Sequence, residues 1–579
     1  MAQIVMRPDI MHGHPIVPTA FTITIEGDLV AWNSRLCRVF LELSSGVPVC
    51  RGATCFLRCL VRHTIDTIRR GLRALNFIWI DWVTVIAFLV LTTGIAMATR
   101  RLISDYDSFL LAGRTLKLYL AMATMGATEL GLVTLMYFSQ QGYSSGFSAF
   151  SIGVIALIGF TFVGRTGFII KGLRDLDVHT IAEFFGLRYN RSTQVIAAII
   201  TFAAGLMNMG LFLVLGAKFL LYMVGFPPDM LPYLMVGLLL LVLGYTVVGG
   251  MVSVVLTDYA QFVILFTSVV FTTYFAITHV GYDTVIDTVQ REYGAGGFDP
   301  FISDDLGWLF IIWLIFGIPF TGMWPPALSR ALSTVDSDTS KKLYSFVGLS
   351  FLGRALMPMM WGICALTYFA GVDAIPLPMW DGAPDTAAAM PAYLSQILPA
   401  GVRGLMVAAA LAAMMSTFDS YLLCWSSILV NDIVLPLRPE MTDREKIRLT
   451  RLAVVACGIF VLSWGYLYKP PETFFRFMAI TGTMYSASVL LTTAAGLYWK
   501  KANTVGTLTS LVVAGTLPLT TIFLGDSDIL PLEYRWMVED KVVGIATFIS
   551  SLVCMVVASL LTQKSHPAKV LAPREGVTT

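Results

Sequence analysis

Residues 409–433 read AALAAMMSTFDSYLLCWSSILVNDI. The stretch has the length and apolar character of a membrane-crossing helix, which needs about 20 mostly apolar residues. Yet Ser416, Thr417, Asp419 and Ser420 fall near its middle, where polar groups are costly unless paired or wet. Ala413, Ser416 and Thr417 stand at i, i+3 and i+4 and so share one helical face. Two hydroxyls and a backbone carbonyl are hard oxygen donors suited to a small alkali cation, and without formal charge they can also release it. Hydroxyls in membrane helices also bond the carbonyl four residues back, so the pair by itself leaves both uses open.

The rest of the chain supports a membrane setting. It has 579 residues, 56% hydrophobic and 13% charged, whereas soluble chains carry about 25% charged residues. A net charge of +2 gives no ground to expect a nucleic-acid partner. The eight cysteines include no CxxC pair, so neither a disulfide framework nor a metal site is indicated. No HExxH or P-loop occurs, and all six histidines lie outside the apolar stretches. The sequence therefore points away from an enzyme and implies no bound cofactor.

Measured against the length of a bilayer crossing, about thirteen spans are expected: 77–98, 119–140, 147–170, 193–224, 230–249, 252–278, 306–326, 344–369, 402–431, 449–468, 474–498, 502–524 and 541–562. No stretch after residue 100 leaves room for a soluble domain of ordinary size. Lys and Arg gather in one alternate set of loops, among them Lys171, Arg174, Arg188, Lys341, Lys342, Arg444, Lys446 and Lys501. Such loops stay on the cytoplasmic side, which puts the segment before the first span outside and the C-terminus inside, in the plasma membrane. Residues 1–76 run against this rule, with Arg58, Arg62, Arg69, Arg70 and Arg73 just outside the first span. Two readings of them stay open: an added N-terminal extension without an ordered core, or sequence upstream of the true start. The sequon at Asn190 falls in a cytoplasmic loop on this topology, where glycosylation is not expected.

Ionisable residues inside spans are functional candidates by default. They are Glu129, Lys218, Asp258, Arg354 and Asp419. Lys218 lies within reach of a membrane boundary and can snorkel. Asp258 stands near the expected start of its helix, where a carboxylate suits the dipole. Arg354 is an available partner for any acid. Glu129 has no such explanation. Around it the sequence ATMGATELGLVTLMYFSQQGYSSGFSAF (123–150) mixes Gly126, Gly131, Gly142 and Gly146 with Thr128, Thr134 and Gln140. Glycine and polar residues at mid-depth suit a discontinuous helix, tolerated in a membrane only where it lines a cavity. Its freed carbonyls and N–H groups can hold a cation and a substrate. A small-residue helix contact is the alternative.

Four stretches together resemble the sodium/solute symporter family, which includes sodium-coupled sugar and proline carriers. GYTVVGGMVSVVLTDYAQ (244–261) is similar to its Gly-Gly…Thr-Asp-x-x-Gln signature and AAMMSTFDSYLL (412–423) to its Ala-x-x-Ser-Thr/Ser helix. SDYDSFLLAGRTL (104–116) and DLDVHTIAEFFGLRY (175–189) resemble two of its cytoplasmic loops. The resemblance covers residues 77–562. It implies an all-α integral membrane protein of about 13 transmembrane helices with the leucine-transporter-type fold. In that fold two inverted five-helix repeats (119–278 and 306–468) each open with a broken helix. An extra helix (77–98) precedes them, and C-terminal helices (474–562) and a cytoplasmic tail (563–579) follow. Carried over residue by residue, the sodium site comprises the carbonyls of Ala127, Leu130 and Ala413 and the hydroxyls of Ser416 and Thr417. Asp258 matches an aspartate associated with cation coupling, with Glu129 beside it. Asp419 and Ser420 then lie on the ion's exit path.

The chain also departs from the family. Glu129 stands where proline carriers have Asp and sugar carriers Asn. The seventh span, FGIPFTGMWPPALSR (316–330), has three prolines and no amide side chain, which disfavours a sugar. Glu129, Thr134, Phe320, Thr321 and Trp324 are the residues expected nearest the solute. The resulting expectation is a sodium-coupled symporter that imports a small polar organic solute by alternating access, with Na+, the solute and the bilayer as partners. Two alternatives stand beside it: a proton-coupled carrier of the same fold using Glu129, and a transporter-like nutrient sensor. The absence of a signalling domain before the end at Thr579 counts against the sensor.

Overall fold

The computed structural model describes residues 77–99, 114–371, 376–380, 382–468, 474–525 and 530–569. The N-terminal extension (1–76), most of the 104–116 motif and the last ten residues of the tail lie outside the described residues. The described chain is almost wholly helical, with one two-stranded antiparallel pairing, Met379–Trp380 with Ala383–Pro384. Among the described residues, ten helical stretches are long and apolar enough to cross a membrane, and two shorter apolar ones, Trp79–Ile95 and Pro228–Gly244, accompany them. The protein is a multi-pass membrane protein.

In chain order the helices that build the site are α1 (Trp79–Thr99), α2 (Leu118–Glu129) and α3 (Leu132–Ser145). Next come α4 (Phe150–Thr166), α5 (Ile181–Arg188), α6 (Arg191–Met209), α7 (Phe212–Val224) and α8 (Leu231–Val280). The second half holds α9 (Gly307–Gly317), α10 (Pro325–Leu332), α11 (Ser337–Phe369), α12 (Val402–Ile428) and α13 (Asp443–Leu467). Three more are α14 (Phe474–Tyr485), α16 (Thr504–Thr516) and α17 (Asp540–Leu561), with α15 (Leu491–Tyr498) between the first two.

The structure does not confirm the exact count of thirteen spans. The expected spans 230–249 and 252–278 are one helix, α8, of 50 residues. Gly249 and Gly250 lower helix propensity by about 1 kcal/mol each but supply no stop, and no proline follows to break the hydrogen-bond ladder. Elsewhere two expected spans are split. The first repeat opens with a helix that stops at Glu129 and restarts at Leu132 after Gly131 takes an extended conformation (φ −72°, ψ 156°). The second opens with α9, a short 3-10 turn at Ile318–Phe320, an irregular segment and then α10. Here the reason is local: Gly322 has φ +73°, a region that favours glycine. Trp324, preceding a proline, is held extended (ψ 138°), as steric clash with the proline ring requires.

α12 is buried along nearly its whole length and packs against α8, α1 and both halves of the first broken helix. α11 lies along α3 and α4. Gly142 and Gly362 let α3 and α11 approach backbone to backbone, since a Cβ on either would run into the other helix's main chain. The two broken helices are also joined to each other. Leu116, just before α2, exchanges backbone hydrogen bonds with Ser333 (3.1 Å) and Val335 (3.2 Å), just after α10.

Loop motifs prove to be devices for holding helix ends. Thr180 caps α5 by accepting the Glu183 N–H (3.1 Å), while the Glu183 carboxylate accepts the His179 N–H (2.6 Å). Arg188 donates to the carbonyls of Gly496 (2.9 Å) and Ala502 (3.1 Å), tying α5 to the ends of α15 and α16. Asn190 of the sequon caps α6 by accepting the Thr193 N–H at 2.9 Å. Asp336 caps α11 by accepting the Thr339 N–H (2.6 Å), and that bond holds its carboxyl below the usual carboxylate range.

The extra helix α1 is anchored by Asp81, which is fully buried. Its carboxylate accepts the N–H groups of Gly401 (2.7 Å) and Gly404 (2.9 Å) at the start of α12 and of Ile78 (3.2 Å), just before α1. Removing it strands buried donors, each worth about 1–3 kcal/mol. Asp81→Ala should therefore lower the thermal unfolding midpoint of the detergent-purified protein by more than Asp81→Asn, which keeps one acceptor oxygen. An unchanged midpoint in the alanine variant would show that α1 is not anchored this way.

Candidate functional site: a broken helix met by polar side chains

A helix that ends at mid-depth leaves its last carbonyls without partners in a medium that offers none. At the end of α2 these carbonyls are met by side chains from other helices. The Ser416 hydroxyl donates to the carbonyl of Ala127 (3.0 Å) and to that of Ala413 (3.1 Å) in its own helix. Thr417 Oγ1 donates to the carbonyl of Thr128 (2.9 Å). Arg354 Nη1 donates to the carbonyl of Glu129. Gly131 sits so close to Thr417 that a Cβ there would overlap its hydroxyl, which is why the break carries glycine. Ser416 and Thr417 are 0% and 3% exposed, so this cluster of oxygens is dry.

The structure thus brings together Ala127, Ala413, Ser416 and Thr417, with the carbonyl of Thr128 as a contact that the sequence reading did not include. Leu130 closes α2 with its N–H on the Gly126 carbonyl (3.0 Å). Thr134 Oγ1 donates across the break to the Glu129 carbonyl (3.3 Å). The carbonyl end of a helix carries a partial negative charge; with two hydroxyls facing it, the cluster has the donor set of an alkali-cation site.

One layer away lies a second polar cluster. Asp258 is fully buried in the interior of α8, so its placement at a helix N-terminus is corrected: no helix starts there. It accepts the hydroxyl protons of Thr124 (2.6 Å) and Thr128 (3.5 Å) on α2. It faces Arg330 of α10 at 3.8 Å. Arg330 in turn donates to Ser420, and Ser420 donates to Asp419 (3.1 Å). Four helices meet here.

The three other ionisable span residues, Glu129, Arg354 and Lys218, are also paired. Glu129 Oε2 accepts from Arg354 Nη1 at 3.0 Å. Lys218 does not snorkel to the surface: it is 7% exposed, bonds Asp385 at 2.7 Å and lies over the Trp380 ring at 4.7 Å. Pairing inside the protein satisfies the ammonium where water is absent.

Of the residues expected near the solute, Trp324 meets Trp425 and Tyr485 edge to face. Phe320 instead stacks on Phe548 of α17. Thr321 bonds the Ile318 carbonyl (3.0 Å) and rests against Gly159 of α4.

The two ends of the bundle differ. Beyond α3, Asp305 accepts from Gln141 (2.5 Å), Ser145 and Arg476 (2.9 Å), and Gln140 bonds Thr386 (2.8 Å) and the Phe474 N–H (3.1 Å). At the opposite end a cavity of about 560 Å³ opens among His179, Arg191, Gln194, Asp432 and Lys446. A cleft between α10 and α12, lined by Leu328, Ser329, Cys424 and Ser427, shares His179 and Asn431 with it.

Two broken helices, one of them closing on a buried oxygen cluster, with a cavity at one end of the bundle, fit a membrane transporter of the inverted-repeat class. A model of the Sodium:solute symporter family matches residues 109–514, and the chain belongs to that family. It is 26% identical to a sodium/glucose cotransporter of Vibrio parahaemolyticus over 436 residues, 70% of this chain and 78% of that protein. It is 25% identical to a sodium/proline symporter of Staphylococcus aureus over 508 residues, 84% and 93% of the two chains. Its fold matches that of a Na+-coupled sialic acid symporter solved in a substrate-bound, outward-open state. The TM-score is 0.68 and the identity 18%, with 84% of this chain and 98% of that one covered.

Removing one member of a buried ion pair strands the other and costs about 3–5 kcal/mol. Arg330→Met should therefore strongly destabilise the protein in thermal unfolding, and adding Asp258→Asn should restore a large part of the loss. Equal losses in the single and double variants would rule out the pair as a stabilising unit.

Proposed function

We propose that the chain is a sodium-coupled symporter that carries a small polar organic solute into the cell by alternating access. The observation that carries this reading is the bonding of the Ser416 and Thr417 hydroxyls to the carbonyl end of α2. A cation that takes over these oxygens ties α12 to the broken helix, and its departure frees the two to move apart. In the proposal Na+ is held by the carbonyls of Ala127, Leu130 and Ala413 and the hydroxyls of Ser416 and Thr417, with Asp258 and Glu129 as coupling carboxylates. The solute lies against Glu129, Thr134 and Trp324, with Phe320 and Thr321 forming the unwound backbone behind it. Asp419 and Ser420 lie between the ion and the cleft beside α10, on its exit path.

The ion can bias the protein only by preferring one conformation over another. The end with the Asp305–Arg476 bridge is the outer one in this reading, and the cavity lined by Arg191 and Lys446 opens to the cytoplasm. Basic residues around the cavity support that orientation, with the N-terminal side outside and the C-terminus inside. At −100 mV each entering positive charge releases about 2.3 kcal/mol, and a tenfold Na+ gradient adds about 1.4 kcal/mol. Together these sustain a solute gradient of several hundredfold, roughly tenfold for each 1.4 kcal/mol.

The test is thermal stability and solute uptake in Na+ against choline. Na+ should raise the unfolding midpoint of the wild type. The variant Ser416→Ala/Thr417→Ala should need at least about tenfold more Na+ for the same shift, a loss of about 1.4 kcal/mol or more. Equal shifts in wild type and variant would overturn the assignment of the ion to this site.

A further inference from the structure

Between α11 and α12 the chain folds against the end of the bundle that carries the Asp305–Arg476 bridge. Met379–Trp380 pairs with Ala383–Pro384, and the Asp385 N–H closes this hairpin on the Pro378 carbonyl (2.8 Å). The next contacts reach two other helices. The Asp385 carboxylate accepts from Lys218 of α7 (2.7 Å), and the Thr386 hydroxyl accepts from Gln140 of α3 (2.8 Å). Gln140 in turn accepts the Phe474 N–H (3.1 Å) where α14 begins. Two adjacent residues of one connection thus clamp α7 and the second half of the first broken helix.

Lys218 is the unusual member of this set. It stands within the apolar helix α7, and its side chain and that of Asp385 are each 8% exposed. Its ammonium lies 4.7 Å from the centroid of the Trp380 ring, in the same hairpin as Asp385. The Asp305–Arg476 bridge at this end is wetter, at 20% and 17%, and an ion pair weakens as water reaches it. Packing does not by itself call for charge here, because an apolar pair of similar volume is often as stable as a buried ion pair. What the charges supply is a contact with two states. They are dry and matched when the hairpin is seated, and separately hydrated when it lifts. Any arrangement that leaves one of them buried alone is costly.

We infer that Lys218 and Asp385 are the latch of the outer gate: the route to the break closes when Asp385 seats on Lys218 and opens when the pair parts. The inference rests on the alternating-access reading and on the assignment of this end to the outside. Both are positioning residues. They act through the seating of the hairpin on α7 and α3, not on the ion or the solute. Loss of either charge alone leaves the other stranded in the closed state and so favours opening. Loss of both removes that penalty and leaves the gate closed.

The experiment follows the rate at which a membrane-impermeant maleimide, added outside whole cells, modifies the variant Tyr137→Cys of the full chain. Tyr137 lies on α3 between the break and Gln140, with its ring facing Phe475 of α14 at 5.6 Å between centroids. Labelling of the chain that keeps Tyr137 is subtracted as background. Added to this variant, Lys218→Met and Asp385→Asn should each speed the reaction by about tenfold or more, and the two together should return it to within about threefold of the starting rate. Cys364, fully buried in α11, should stay unreactive throughout, as read by mass spectrometry of the same samples. Unchanged rates in the single variants would overturn the latch. So would a double variant as fast as the singles, or Cys364 reacting in step with Tyr137→Cys, which would mean general loosening. Acceleration in inside-out vesicles but not in whole cells would uphold the latch and overturn the assignment of this end to the outside.

Discussion

The arrangement of the described core follows from a helix that stops where water is absent. α2 ends at Glu129 with carbonyls that hydrocarbon cannot satisfy. Ser416, Thr417 and Arg354 bond three of them, at Ala127, Thr128 and Glu129. Those donors must come from other helices, so α12 has to run through the middle of the bundle and α11 beside it. α12 is accordingly buried on all sides, and its Ser416, Thr417 and Ser420 hydroxyls each find a hydrogen-bond partner there. Gly131 is part of the same constraint, because any side chain there would push Thr417 away from the Thr128 carbonyl.

The charged residues divide into layers around that point. On one side Asp258, Arg330, Ser420 and Thr124 join α8, α10, α12 and α2. At the break itself sit Glu129 and Arg354. At the far end Asp305 and Arg476 join the start of α9 to α14. Each layer is a set of buried hydrogen bonds between elements that must separate if the bundle opens at that level. Such polar contacts are weak net contributors to stability when whole and costly when half broken, so they favour discrete arrangements over gradual ones. The backbone bonds between Leu116, Ser333 and Val335 link α2 and α10, the two half-helices on the cavity side, which makes it natural for them to move together.

Much of this was visible in the order of residues. The spacing of Ala413, Ser416 and Thr417 follows from helical periodicity alone, and glycine with threonine around Glu129 marks a break because both oppose a continuous apolar helix. The Pro-rich 316–330 segment marks the other break for an equally local reason. What stayed hidden was pairing over long distances. Glu129 and Arg354 are 225 residues apart and Lys218 and Asp385 are 167 apart, and no local pattern says which acid a buried base will meet. The continuity of α8 was missed because a glycine pair resembles a boundary while the peptide groups around it still close the helical ladder. Phe320 packs on α17 rather than toward the break because a few residues of irregular backbone reorient side chains in ways that helical periodicity does not predict.

The placement of the cation cluster also bears on how an ion comes to be coupled to the bundle. Ala127 and Thr128 present oxygen from one side of the break, and Gly131 and Leu132 open the next helix on the other. A single interruption of the backbone therefore produces a negative helix end and a positive one within a few residues. In the proposed mechanism a cation at the first meets that negative end in a buried interior, where electrostatic interactions are far stronger than in water. The coupling thus needs no distant pathway. It is a property of the break, and the surrounding helices have to hold that break in place and open it to one side at a time.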